Sequence, residues 1–242
     1  MSNAVPASRE VRDAPAKLTL SLRITGVRAD GYHLLDAEMV TVDLADELAF
    51  SDGDDLVVDG LPAPEGDDNL VRRALRAVGR TASVRLEKRI PAGAGLGGGS
   101  ADAAAVLRWA GRADDVALAA TLGADVPFCL RGGRAQVSGI GDVVTALPCR
   151  RGAAYTLLTP PLHVSTAAVY RAWDELGGPT GARNDLEPAA LAVEPALGGW
   201  RDFLADTTGR TPLLAGSGST WFVPGAFPSV PGATVAETVC PD

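Results

Sequence analysis

Lysine, histidine, cysteine and aromatic residues are all scarce in this chain of 242 residues. No apolar run approaches the length needed to span a bilayer, and the opening Met1-Ser-Asn-Ala-Val5 leads into Pro6 without the apolar core of a signal peptide. The expectation is a cytoplasmic protein with no membrane partner. Cys129, Cys149 and Cys240 are widely spaced, odd in number and without a Cys-x-x-Cys pair. They read as structural thiols in a reducing compartment and not as a zinc site or a disulfide framework. Basic character is lacking too, since 22 Lys and Arg face 30 Asp and Glu for a net charge of −8. Such a balance argues against nucleic acid as a partner, because phosphate backbones demand a basic face. An anionic small ligand stays admissible, as local amides and a few cations overcome a distant acidic surface. Against the abundance of arginine, Lys17 and Lys88 stand out.

What the chain has in excess is glycine in one place. Five glycines fall within residues 93–99 (Gly93, Gly95, Gly97, Gly98 and Gly99), followed by Ser100 and the helix-forming run Ala101–Trp109. Glycine permits positive φ and close approach to the main chain. A helix start adds unpaired N–H groups and a partial positive charge, so the two together seat a phosphate. Before the loop, Val84, Leu86, Lys88 and Ile90 read as a short strand that Pro91 stops, and Ser100 reads as the N-cap. The segment lacks the Gly-Lys-Ser/Thr of a Walker A loop. Gly93, Gly95 and Gly98 satisfy G-x-G-x-x-G, but Asp114 and Asp115 open a helix where the dinucleotide fingerprint wants an acid ending a second strand. A Rossmann oxidoreductase is therefore disfavoured, and NAD binding without ATP binding would revive it.

Around the loop, Leu18, Leu20, Leu22 and Ile24 alternate with Lys17, Thr19, Ser21, Arg23 and Thr25, predicting a half-buried strand with Lys17 and Thr19 on its polar face. Strands follow over 38–44, 47–50 and 56–59. A helical stripe runs from Leu70 to Val78 behind Asn69, and a short helix covers 115–122. Residues 123–128 read as a turn, and strands lie near 134–139 and 143–147. The remainder reads as strand, helices over 166–176, 186–193 and 200–205, and three more strands. Strand-rich beginnings without regular βα alternation give an α+β class. The expected organisation is a loose tail over 1–13, a first domain over 14–149 and a second over 150–242.

Three segments resemble the GHMP small-molecule kinases: Pro15-Ala-Lys17-Leu-Thr-Leu20 with Gly31-Tyr-His33, Pro91 to Ser100, and Gly123-Ala-Asp125-Val-Pro127. The phrases Thr25–His33, Asp68-Asn-Leu70, Asn184-Asp-Leu186 and Ala215-Gly-Ser-Gly218 extend the likeness. They resemble most the branch acting on a cytidine diphosphate-linked polyol in the non-mevalonate route to isoprenoid precursors. The resemblance implies a ribosomal-protein-S5-like N-terminal domain and a shortened ferredoxin-like C-terminal domain with the active cleft between them. It also implies ATP and Mg2+ as cofactors, and phosphorylation of the tertiary 2-hydroxyl of a methylerythritol unit. The assembly is expected to be a monomer or homodimer.

By the same resemblance, Asp125 is the base and Lys17 its neighbour, holding Asp125 ionised and stabilising developing negative charge. Asn69, Lys88, Pro91, Ala92, Gly93, Ala94, Gly95, Leu96, Gly97, Gly98, Gly99, Ser100 and Ala101 fall on the ATP side, with Ser100 also a candidate for Mg2+. Tyr32 and His33 match the residues that take the cytidine end, and Thr19, Gly216, Ser217 and Gly218 fall near the substrate. Taken alone, Lys88 reads equally as a solvated strand residue, Asn69 as a helix cap and Tyr32 with His33 as a turn over a core. His163 reads as a surface or packing residue. Thr19 stands where the family usually has asparagine, and Pro224–Gly232 stands where it has a C-terminal helix. Two other functions remain open: another GHMP alcohol kinase, or a non-catalytic nucleotide-binding relative.

Overall fold

The structure is a computed structural model and describes residues 10–178 and 181–241. Two long strands, β1 (Glu10–Val27) and β2 (His33–Ser51), form an antiparallel ribbon. The other edge of β2 is shared between β4 (Ser83–Lys88) at residues 47–51 and β5 (Arg134–Gly139) at residues 35–40. Strand β3 (Leu56–Gly60) runs parallel to β4, and β6 (Val143–Ala146) pairs with β5, completing a six-stranded sheet. Residues 47–50 are thus one end of β2 and not a separate strand. Residues 10–13, expected in a tail, pair with 47–50 as the start of β1; the rest of that tail, residues 1–9, lies outside the described residues.

The expected alternation along β1 holds only in pieces. Register shifts fall between Pro15 and Lys17, Thr19 and Ser21, and Ile24 and Gly26. A one-residue bulge reverses which face each following side chain meets. Leu18 accordingly packs with Val40, Val42 and Leu96, whereas Leu22 and Ile24 join a different cluster with Leu35 and Met39. Lys17 and Thr19 are not on a solvated polar face: they are 5% and 2% exposed.

Helices cover one face of this sheet. They are α1 (Leu70–Ala77), α2 (Gly98–Trp109), α3 (Val116–Leu122) and α4 (Val126–Arg131). Helix α2 is central, and Ala101, Ala103, Ala104 and Ala105 are wholly buried along it. Side chains this small let a helix lie close against its neighbours at high packing density. Trp109 stacks on Phe50 at 4.5 Å and 6°, pinning the helix's far end to β2. Residues 126–131 form helix α4 where the sequence predicts a turn over 123–128. Its six residues are too few for a periodic signal, although Pro127 within its first turn suits a helix start.

A second, antiparallel sheet has the spatial order β10-β7-β9-β8, from β7 (Ala154–Leu158), β8 (Leu213–Leu214), β9 (Trp221–Pro224) and β10 (Ala233–Glu237). Between β7 and β8 the chain forms α5 (Thr166–Glu175), α6 (Glu187–Val193) and α7 (Leu197–Thr208). The βαββαβ order of a ferredoxin-like unit calls for a second helix between β9 and β10. Residues 225–232 contain none. Their Phe227 and Val230 instead turn into the core beside Trp221 and Val223, so the loop supplies part of the cover a helix would give. On the sheet's other face, Leu157, Phe222 and Ala236 pack against Leu18, Val40 and Leu96, joining the two sheets.

Beyond β10 the chain returns to the first sheet. Val42 bridges Thr238, and the Val239 N–H donates to the Thr41 carbonyl at 3.0 Å, in the interval of β2 between its contacts with β4 and β5. This return brings the Cα atoms of Cys149 and Cys240 to 5.9 Å, and the two form a disulfide. The expectation of three unpaired thiols is corrected accordingly; sequence spacing carries no record of a partner 91 residues away. Cys129 is free and buried, and burial pushes its thiol up to about 12. Among the described residues no helix is long and apolar enough to cross a membrane.

Candidate active site

The glycine loop leaves β4 and returns as α2, and its shape is set by what lies behind each missing side chain. Gly93, Gly95 and Gly97 all have positive φ, at +71°, +77° and +69°. A Cβ on Gly95 would stand 2.0 Å from the Ala215 carbonyl oxygen, and one on Gly97 would stand 2.8 Å from Lys17 Cγ. Gly97 is the N-cap of α2 and Ser100 lies in its first turn. The helix therefore begins three residues earlier than a serine cap predicts, because glycine tolerates the left-handed cap conformation.

Behind the loop is a buried charge cluster. Lys88 Nζ is ion-paired to Asp46 and reaches Asp102 at 2.8 Å, with all three residues under 5% exposed. Asp46 also accepts the main-chain N–H of Ile90 at 2.8 Å, fixing the strand's exit into the loop. Burial raises the Asp102 carboxyl to about 7, outweighing the pull of the Lys88 ammonium. One oxygen of Asp102 has no hydrogen-bond partner among the described residues.

In front of the loop lies a cleft of about 470 Å3. Lys17 and Thr19 of β1, Asp125 at the N-cap of α4, and Gly216 and Ser217 of the turn after β8 line it. So do Pro91, Ala92, Gly93, Ala94, Gly95, Gly97, Gly98, Gly99 and Ser100. Lys17 Nζ stands 3.6 Å from Asp125 Oδ2 and donates to Thr19 Oγ1 at 3.0 Å. Asp125 makes no capping bond with its side chain, so its carboxylate turns to Lys17 at the cleft and not to the start of α4. The turn carrying Gly216 is held by Asn184, whose Nδ2 donates to the carbonyls of Leu214 (2.9 Å) and Gly216 (2.7 Å). Asp185 beside it accepts the Ile24 N–H at 2.8 Å, so this segment ties β1 to the second sheet's turn.

Five residues expected on the ATP or substrate side line neither this cleft nor the cavity beside it. Lys88 is turned inward to its two carboxylates. Asn69 caps α1, its Oδ1 accepting the Val71 N–H at 2.8 Å. Leu96 and Ala101 are core residues, 1% exposed each, though the Leu96 carbonyl accepts the Lys17 N–H at 3.0 Å. Gly218 lies behind Gly95, where its carbonyl oxygen would be 2.9 Å from an added Cβ.

Tyr32 and His33 line an adjoining cavity of about 640 Å3, which shares Leu35, Ala124, Ile140 and Tyr170 with the cleft. Its other wall is α5, from which Tyr170 and Asp174 face His33. Burial, and then the nearby Asp125 carboxylate, push the Tyr170 phenol up to about 12. His163 is an exposed residue packed on the outer side of the loop, its Nδ1 3.3 Å from where a Gly93 Cβ would be, lining a smaller cavity of about 310 Å3. Asp46, Asp102, Tyr170 and Asp174 were not foreseen. Each lies in an ordinary strand or helix pattern, which carries no local mark of a site.

The arrangement is that of a phosphotransferase. A row of bare amides at a helix start faces an ammonium and a carboxylate, and a larger cavity for the rest of a substrate opens beside them. Comparison with known proteins agrees. Residues 69–148 match the family model of the GHMP kinases N terminal domain. A 4-diphosphocytidyl-2-C-methyl-D-erythritol kinase of Mesorhizobium japonicum is 39% identical, covering 86% of this chain and 84% of its own. The kinase of the same name from Ruegeria pomeroyi is 38% identical over 89% and 88% of the two chains. A crystal structure of 4-(cytidine 5'-diphospho)-2C-methyl-D-erythritol kinase superposes with a TM-score of 0.75 at 33% identity, covering 94% of this chain and 98% of that one.

Proposed function

Because the chain belongs to the 4-diphosphocytidyl-2-C-methyl-D-erythritol kinases of the GHMP family, we propose that it transfers the γ-phosphoryl group of ATP to the 2-hydroxyl of 4-diphosphocytidyl-2-C-methyl-D-erythritol. The single observation that carries this reading is the Lys17–Asp125 pair facing the glycine loop across one cleft. In the proposed step the substrate hydroxyl gives its proton to Asp125 as its oxygen bonds to the γ-phosphorus. The bond to the bridging oxygen breaks, and ADP leaves. Lys17, nearly wholly buried and 3.6 Å from Asp125, offsets negative charge as the alkoxide forms. Thr19 orients the ammonium by accepting a hydrogen bond from it.

The amides of Gly93 to Ser100 hold the phosphates, and Tyr32 with His33 takes the cytidine end. Gly216 and Ser217 close the far side of the cleft. No group of three or more His, Cys, Asp or Glu able to hold a metal occurs among the described residues. Mg2+ keeps several waters and takes one or two protein ligands, so beside a triphosphate it would need little from the chain. Ser100, in the first turn of α2 and on the cleft wall, is the residue that would reach it. Bound there, Mg2+ would neutralise phosphate charge. The proposed division is an ATP-binding domain over 14–149 and a substrate-closing domain over 150–242.

The test is a coupled ADP-release assay with ATP, Mg2+ and the cytidylated substrate. Asp125→Asn is expected to lower kcat about 10^3-fold, in the range general-base removal gives, with KM for ATP within about two-fold. Full activity in that variant would remove Asp125 from the base role, and no turnover by the wild-type chain would end the reading.

A further inference from the structure

The ring of His33 is held on three sides by one face of α5. Tyr170, Trp173 and Asp174 are spaced i, i+3 and i+4, so they project together. The Tyr170 ring lies 4.8 Å from the His33 ring, tilted by 39°, and Trp173 meets it edge-on at 5.5 Å and 87°. Asp174 Oδ1 is 2.8 Å from His33 Nε2. Only 10% of the His33 side chain remains accessible, so its ring has little freedom to turn over.

A carboxylate accepts hydrogen bonds and does not donate them, so Nε2 carries a proton toward Asp174. In the neutral ring the other nitrogen is then a bare acceptor, since the partner of one imidazole nitrogen decides the state of the other. Among the described residues no hydrogen bond is made to Nδ1. The cavity lined by His33, Tyr32, Tyr170 and Asp174 is the one the kinase reading gives to the substrate's base. An acceptor there suits an exocyclic amino group, which cytosine has. It opposes the carbonyl that uracil carries at the same position.

We propose that Asp174 is a positioning residue that fixes His33 as a hydrogen-bond acceptor and thereby selects a cytosine over a uracil nucleotide. The inference rests on the kinase reading and deepens it. Asp174 does not touch the reacting atoms; it acts through the histidine. Replacement by asparagine allows the amide N–H to donate to Nε2 and so to invert the ring's donor and acceptor nitrogens, a change of known consequence where a carboxylate orients a histidine.

The experiment pairs two readouts on the full chain. Histidine occurs at two positions only, His33 and His163, so 15N spectra of imidazole-labelled protein are assigned by comparison with His163→Ala. The wild type is expected to show the Nε2–H form at His33. ADP release is then measured with the cytidine substrate and its uridine counterpart. Asp174→Asn is expected to raise KM for the cytidine substrate about 10-fold, leave kcat and the KM for ATP within about two-fold, and abolish the base preference, a tenfold ratio being 1.4 kcal/mol. Asp174→Glu is expected to restore the preference in part. An Nδ1–H form in the wild type, or an unchanged cytidine-to-uridine ratio in both Asp174→Asn and Asp174→Ala, overturns the inference and leaves the kinase reading standing. A wild type inactive on both nucleotides overturns the two together.

Discussion

The two cavities that meet at Tyr170 are made of different material. The phosphate cleft is built round one continuous glycine-rich stretch, residues 91–100, faced by residues of β1, β2, the start of α4, α5 and the turn after β8. The adjoining cavity is made of side chains delivered by the start of β2, the loop after α3, the turn after β5, and α5. A main-chain site has no side chain to exchange, so its specificity is generic and its tolerance for any added atom is low. A side-chain site is open to substitution, and each substitution rewrites what it recognises.

The largest expected effect comes from beneath the cleft. Lys88→Met leaves Asp46 and Asp102 buried without their cation, and breaking a buried pair in this way costs about 3–5 kcal/mol. Urea unfolding measures it; a loss below about 1 kcal/mol would show that the cluster is not what holds the loop's two ends. Next is Gly95→Ala, whose Cβ has nowhere to go beside the Ala215 carbonyl. The loop must shift, and kcat/KM for ATP is expected to fall about 100-fold or 2.7 kcal/mol, with the circular dichroism of the fold retained. On the side-chain cavity, Tyr32→Ala removes an exposed ring, and a roughly 10-fold rise in KM for the cytidine substrate is expected with KM for ATP unchanged. Equal sensitivity of both KM values would erase the distinction between the two cavities.

The smallest effect is one of pH. Asp102 titrates from 3.8 up to about 7 on folding, so within that window the native chain keeps a proton that the unfolded chain releases. The resulting stabilisation is complete below pH 3.8 and is lost as pH rises through about 7. Asp102→Asn is expected to flatten the dependence of urea stability on pH across that range. An unchanged slope would mean that the charge of the cluster is balanced elsewhere.

How much of this was legible in the sequence follows the same division. The glycine loop announced itself because its residues are neighbours in the chain, and the α+β class, the helix behind Asn69 and the helix capped by Asp115 were read correctly. The start of α2 was misplaced by a serine that looked like a cap. Alternation on β1 concealed its bulges, which leave no mark on a pattern of leucines yet carry Lys17 into the interior. Asp46 meets Lys88 across 42 residues, and Asp174 meets His33 across 141. Pairings that distant arise from topology, and a local pattern of charges and apolar residues does not encode them. The Cys149–Cys240 link was misread for the same reason.

That link also defines a shared doorway. The excursion through the second sheet leaves at Cys149 and re-enters at Cys240, with only 5.9 Å between the two Cα atoms. The described residues between the two cysteines form a segment closed on itself at this link and packed against the first sheet through Leu157, Phe222 and Ala236. Reagents that open the sulfur bridge should therefore loosen the return of residues 238–240 to β2 while leaving the amides of the glycine loop where they are.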